Sequence, residues 1–171
     1  MLVPALYYKD EILKKFAKEM YSESYFYYMG YRHGHQLPKV DESDFNYRWA
    51  IVDEDKVIGY FAYRVNVDYG NSVTSFGLYS FRDEDKNISR ATVRLIEDVY
   101  NKMFELFSQY RRVSWCVVSG NPVERTYDRL LEEAAELGYE TYKHTSHDCC
   151  KDNQGNYHDS IEYEVINKKK G

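Results

Sequence analysis

From Lys9 to about Tyr28 the positions Ile12, Leu13, Phe16, Ala17, Met20 and Ser24 recur every three or four residues, and nothing breaks the run before Gly30. That spacing predicts one amphipathic helix. Tyr31 to Phe45 hold His, Gly, Pro and Asp without a period, the composition of a loop. The rhythm then changes. Tyr47 to Asp53 and Val57 to Val67 are rich in Val, Ile, Tyr, Phe and Trp on either side of Asp53-Glu54-Asp55-Lys56, which predicts a hairpin with a short polar turn. A second turn, Asp68-Tyr69-Gly70-Asn71-Ser72, leads to a third strand from about Val73 to Phe81, completing an antiparallel meander. Gly77 interrupts that third strand, as a bulge or a close approach of another chain or ligand would require.

After the polar stretch Arg82 to Asn87, the positions Val93, Ile96, Tyr100, Met103, Phe107 and Tyr110 give the strongest helical pattern of the chain, with Ser89 or Asn87 as its cap. Val113 to Val118 is a short apolar run of the kind buried on both faces. Asn121, Pro122 and Glu124 together announce a helix start, and Gly138 its end; between them Val123, Tyr127, Leu130, Leu131 and Ala134 form one buried stripe. Tyr139 to His147 and Asp159 to Ile166 make a last pair of strands about the turn-rich Lys151 to Asn156. The Lys168 to Gly171 tail is expected to be unstructured. The predicted order is helix, three strands, helix, strand, helix, two strands.

Composition narrows the class. The 171 residues suit one domain, 1–171, and 43% apolar with 30% charged residues excludes a collagen-like, low-complexity or wholly disordered chain. Apolar stretches such as Trp49 to Val52 and Trp115 to Val118 fall far short of the roughly 20 residues of a membrane span. No basic start followed by an apolar run marks a signal peptide, so a cytoplasmic home is expected. Cys116, Cys149 and Cys150 are an odd set with two adjacent, which predicts reduced thiols. A net charge of -5 excludes a broad nucleic-acid-binding surface and leaves room for a local basic pocket. The 19 tyrosines crowd Tyr21 to Tyr31, where rings can be buried with their hydroxyls wet.

The element order, with a phosphate-sized polar loop between the third strand and the next helix, resembles the GNAT superfamily of acetyl-coenzyme A (acetyl-CoA) dependent N-acetyltransferases over roughly Tyr47 to Ile166. Lys86-Asn87-Ile88-Ser89-Arg90-Ala91 stands where that family has its Q/R-x-x-G-x-G/A loop, with Lys first, Ser89 for the central Gly and Ala91 last. Val117 to Pro122, then Tyr127 and Gly138-Tyr139, is similar to the family's strand, Asn-headed helix and helix-ending Gly-aromatic pair. The spacing from Asn121 to Tyr127 is one residue shorter than usual. The stretch from Asn121 to Arg129 also resembles uncharacterised bacterial and phage members.

The resemblance implies an α/β (α+β) GNAT-like fold: a mixed, mostly antiparallel sheet flanked by helices, with two strands splayed where the cofactor lies. It implies acetyl-CoA as cosubstrate and direct attack by an amine of a small molecule or peptide in a ternary complex. It assigns the pyrophosphate to Asn87, Ile88, Ser89, Arg90, Ala91 and Thr92, where backbone N–H groups open a helix and the dipole favours an anion, with charge from Lys86 and Arg90. It places the thioester oxygen near Tyr79, Ser80 and Phe81 and gives Asn121 and Arg125 further cofactor contacts. Tyr127 is the implied acid for the leaving thiolate, being neutral at pH 7. By amphipathicity alone it reads as a core residue. Glu84, Tyr79 and His144 remain open as bases. His144, His147, Cys149, Cys150 and His158 bear zinc-type donors, but His144 and His147 point to opposite faces of a strand, and adjacent cysteines do not readily share one ion; no metal is expected. The Tyr-rich helix and the Tyr31 to His35 loop suit core packing or an aromatic acceptor pocket. A GNAT-fold binding or structural module without catalysis, of phage-related type, is the alternative, and a homodimer is left open.

Overall fold

The computed structural model describes residues 1–20, 39–41, 43–67, 70–81, 88–121, 123–151 and 155–170. Its elements are β1 (Leu2–Pro4), a 3-10 turn (Ala5–Tyr8), α1 (Lys9–Lys15), a wider helical turn (Phe16–Met20), β2 (Asn46–Asp53), β3 (Lys56–Asn66), β4 (Ser72–Ser80), α2 (Ile88–Gln109), β5 (Arg112–Val118), α3 (Glu124–Glu136), β6 (Glu140–Lys151) and β7 (Tyr157–Ile166). The seven strands form one sheet in the order β1-β2-β3-β4-β5-β7-β6. Every neighbouring pair is antiparallel except β4 and β5. This is the mixed, mostly antiparallel architecture that the sequence predicts, with β1 added and β7 inserted between β5 and β6.

Local chemistry sets the turns. The β2–β3 hairpin turns on Glu54 and Asp55, both left-handed at φ 46° and 62°, which matches the right-handed twist of the strands they join. The expected bulge in β4 forms, but not at Gly77. Gly77 pairs with Ala62 and Thr74 with Arg64, so Ser75 and Phe76 together oppose Tyr63. Gly77 serves a different purpose: a Cβ there would lie 3.0 Å from Cε2 of Tyr79. α3 begins at Glu124, later than Asn121 and Pro122 suggest. The Asn121 side chain accepts the Val123 N–H at 3.0 Å, its carbonyl accepts Glu124 N–H at 2.9 Å, and Glu124 Oε2 reaches back to the Gly120 N–H at 3.1 Å. The Asn side chain thus organises the turn before the helix. At the other end Gly138, at φ 87°, donates to Ala135 and Tyr139 donates to Ala134, the paired bonds of a glycine-ended helix.

Two cores lie on opposite faces of the sheet. One joins α2 (Val99, Met103, Phe107) and α3 (Tyr127, Leu130, Ala134) to Phe61, Val73, Val113, Trp115, Ile161 and Tyr163. The other seats Ile12 and Phe16 on Ala50, Val57, Tyr60, Tyr79 and Phe81. Adjacent Tyr60 and Phe61 therefore enter different cores. The long N-terminal helix predicted to Tyr28 is divided within its described part, widening at Phe16, whose ring meets Tyr60, Tyr79 and Phe81 edge-on at 5.0–5.4 Å. The rest of that helix and the Tyr-rich loop lie outside the described residues. β5 corrects the expectation of burial on both faces: Val113, Trp115 and Val117 are buried while Arg112 and Cys116 are exposed, because among the described residues the second core includes none from β5, β6 or β7. The tail is also held where disorder was expected. Arg111 donates to the Lys170 carbonyl at 2.9 Å, and buried Asn167 donates to the Phe107 carbonyl at 2.9 Å.

Candidate functional site

The parallel contact between β4 and β5 is the irregular point of the sheet. Only Ser72↔Arg112 and Val73↔Val113 pair, although β4 continues to Ser80 and β5 to Val118. The strands part at the Ser75–Phe76 bulge. Which backbone groups face the gap follows from the outer ladders, because antiparallel residues alternate in the side to which they turn N–H and C=O. Phe81 N–H donates to the Ile58 carbonyl at 2.9 Å, so Gly77, Tyr79 and Phe81 turn theirs to β3, and Leu78 and Ser80 face β5. Ser119 donates to Asp159 at 2.9 Å and Asn167 to Arg111 at 2.8 Å, so Ser114, Cys116 and Val118 face β4. Of the predicted trio, Ser80 alone directs its N–H into the gap. The Tyr79 and Phe81 side chains belong to the second core.

α2 opens at Ile88, after the C-terminal end of β4. Ile88, Ser89, Arg90, Ala91 and Thr92 form its first helical residues, and the first N–H groups of such a helix have no partner within it. Lys86, Asn87 and Glu84 lie outside the described residues. Asn121 sits in the turn after β5, and Arg125 is exposed on the first turn of α3.

Tyr127 projects from α3 against the parting strands. Its ring meets Phe76 at 6.1 Å, Trp115 at 5.8 Å and Tyr163 at 5.6 Å. Burial first, then neighbouring Tyr163 and Cys116, push its hydroxyl well above the ordinary phenol range, so it holds its proton. The core role read from amphipathicity is correct, and the same position borders the gap. Trp115, stacked on Tyr163 at 5.4 Å, keeps a buried indole N–H without a hydrogen-bond partner among the described residues.

A cavity of about 360 Å³ opens beside the split. Phe76 lines it from β4, Ser114 and Cys116 from β5, Glu162 and Glu164 from β7, and His144 from β6. The alternation Ile161, Tyr163, Val165 against Ser160, Glu162, Glu164 was the signal that could have placed both carboxylates on one face. Burial and the Glu162 carboxylate push the Cys116 thiol up. The zinc-type donors go elsewhere: His147 Nδ1 lies 3.0 Å from Asp159, and Cys149 Sγ is 3.7 Å from Cys150 Sγ in a bulge of β6. Among the described residues no three such groups converge on a metal position, and no helix is long and apolar enough to cross a membrane.

No family model matches this sequence, and no curated protein matches it either. Solved structures do. A probable GNAT-family acetyltransferase from Chromobacterium violaceum is similar over 97% of this chain and 85% of its own, at 16% identity and a TM-score of 0.56. The ribosomal-protein-S18-alanine N-acetyltransferase from Escherichia coli is similar over 73% and 72%, at 16% identity and a TM-score of 0.49. A ribosomal L7/L12 alpha-N-protein acetyltransferase in complex with coenzyme A is similar over 71% and 62%, at 12% identity and a TM-score of 0.48. The first of these shows that the fold is the GNAT fold.

Proposed function

We propose that this protein transfers the acetyl group of acetyl-CoA to an amine of a small molecule or peptide in the cytoplasm, by direct attack in a ternary complex. The observation that carries the reading is the broken β4–β5 ladder, whose two edges present strand-like N–H and C=O groups to the same gap. Such edges fit an extended, amide-bearing arm, because an added strand satisfies both rows at once. The helix that starts after β4 fits an anion at the end of that arm, with Lys86 and Arg90 as its charges. The cosubstrate supplies an activated thioester. One of the Leu78 and Ser80 N–H groups, about 6.6 Å apart along the strand edge, holds its carbonyl oxygen and stabilises the charge that develops there, and the other pairs with the arm. Tyr127, kept protonated by burial, gives its proton to the departing sulfur.

Titration calorimetry of acetyl-CoA into the protein tests the reading. Saturable micromolar binding, weakened at least tenfold by Lys86→Glu or Arg90→Glu, is the expected result. No heat and no thermal stabilisation at millimolar ligand would sink it and leave the fold as a non-catalytic module.

A further inference from the structure

The cavity beside the split is polar on one wall in a way that the cosubstrate does not require. Across the strands, Cys116, Glu162 and His144 form one cross-sheet row, since Cys116 pairs with Glu162 and Glu162 with His144. Ser114, Glu164 and Tyr142 form the next. Side chains so opposed have Cβ atoms about 5 Å apart. The two carboxylates are not equivalent. Arg112 holds Glu164 at 2.5 Å, whereas no ion pair reaches Glu162 among the described residues. Glu162 and His144 are exposed and line the same cavity as Phe76, the residue at the bulge where the strands part. An uncompensated carboxylate beside an imidazole, next to the point where a thioester would lie, suits a cationic guest with a proton to lose.

Resting on the transferase reading, we infer that this cavity takes the acceptor as an alkylammonium ion, which Glu162 binds and His144 deprotonates. Two N–H bonds of the ammonium break. The first proton passes to the His144 imidazole, the side chain whose charge changes in the neutral range, and the freed nitrogen pair forms the C–N bond as the C–S bond breaks. The sulfur takes its proton from Tyr127, and the second N–H proton, lost as the amide forms, returns to Tyr127. Solvent then removes the proton from His144, so the net release is one proton and free coenzyme A. Among the described residues, the charged and titratable groups facing His144 are Glu162 and Glu164 on β7, Cys116 and Arg112 on β5, and Tyr142 on its own strand.

The test uses two amines of similar size: benzylamine, an ammonium ion at pH 7, and aniline, uncharged there. In the wild type, benzylamine shifts the His144 imidazole resonance, assigned by its absence in His144→Gln, and Glu162→Gln weakens that binding at least tenfold. With acetyl-CoA present, coenzyme A release with benzylamine shows an acidic limb that His144→Gln abolishes. Both variants lose at least tenfold more kcat/KM with benzylamine than with aniline, because only the former must lose a proton before its nitrogen can attack, and Glu162→Asp recovers part of the loss. Equal losses with both amines, or an acidic limb that survives His144→Gln, overturn the inference. So does acetyl-CoA binding without any benzylamine shift or turnover, which leaves the cofactor reading standing. Failure of acetyl-CoA to bind instead removes the transferase reading and this inference with it.

Discussion

The two halves of the sheet are built to different rules. From β2 to β4 the sheet is covered on both faces, by α2 on one side and by Ile12 and Phe16 on the other. β3 is accordingly buried from Val57 to Phe61 without alternation. From β5 to β6 only one face meets a core among the described residues, and burial alternates along β5. The first half has its side chains packed and, away from the β4 edge at the gap, its backbone groups paired, which suits a platform. The second half keeps Cys116, Glu162 and His144 on a face where chemistry is accessible. The gap lies between them, bordered by Tyr127 from one side and the open cavity from the other, so the platform half and the half proposed as reactive share two backbone pairs and the α2–α3 core.

The contrast breaks most visibly in stability. Phe16 is 1% exposed and boxed by three rings, so Phe16→Ala is expected to cost about 3–5 kcal/mol in urea unfolding. Glu162→Ala, on the uncovered face, is expected to change stability by less than about 0.5 kcal/mol. Comparable losses would mean that the second half carries a packed layer on that face too.

Tyr127→Phe probes the seam itself. The ring and its aromatic contacts stay, and only the proton donor goes. Turnover with a primary amine is expected to fall roughly 100-fold in kcat, with acetyl-CoA affinity and folding nearly constant. A parallel drop in stability and activity would assign Tyr127 to the core alone.

Much of this division was legible in the chain. Runs of β-branched and aromatic residues between polar turns place β2 to β5, and the 3.6 period places both long helices with the glycine stop at Gly138, because each is set by neighbours within a few residues. The family resemblance brought Tyr127 and Ser80 forward as candidates, and the alternation of β4 turns the Ser80 N–H, rather than that of Tyr79, into the gap. What stayed hidden depends on contacts distant in sequence. An apolar run such as Val113 to Val118 does not say whether a second layer covers it. Leu2-Val3-Pro4 is too short to show a period, so β1 is visible only beside Trp49 to Ile51. The bulge was expected at the glycine, yet it falls at Ser75–Phe76, since Gly77 is needed for a different reason.

That reason gives a smaller effect. The Tyr79 ring fills the space a Gly77 side chain would take, and Phe16 at 5.1 Å and Tyr60 at 6.0 Å restrict its retreat. Gly77→Ala therefore overpacks the platform half, with an expected cost of about 1–3 kcal/mol. Because Leu78 and Ser80 follow on the same strand, acetyl-CoA affinity should fall as well. Full stability and affinity in Gly77→Ala would show that the ring has room to move.

The smallest effect lies at the far end of the reactive half, where the β6 bulge is pinned by one carboxylate. Asp159 Oδ1 accepts the Asp148 N–H at 3.0 Å, and its Oδ2 lies 3.0 Å from His147 Nδ1. The Asp148 N–H first, then His147, hold the Asp159 carboxyl below its ordinary value of 3.8. A depressed carboxyl stabilises the fold fully above the unfolded value and loses that contribution as pH falls through the folded one. The bulge should therefore be intact at pH 5 to 7 and loosen only below about pH 4, seen as faster hydrogen exchange at the left-handed Asp148 (φ 50°) while the β3 amides hold. Asp159→Asn keeps an acceptor for that N–H but removes the charge, so it should abolish the acid-dependent step in Asp148 exchange. A step that persists in Asp159→Asn would mean that the bulge is fixed by its backbone rather than by Asp159. The reactive half would then owe its local order to the strand ladder, as the platform half does.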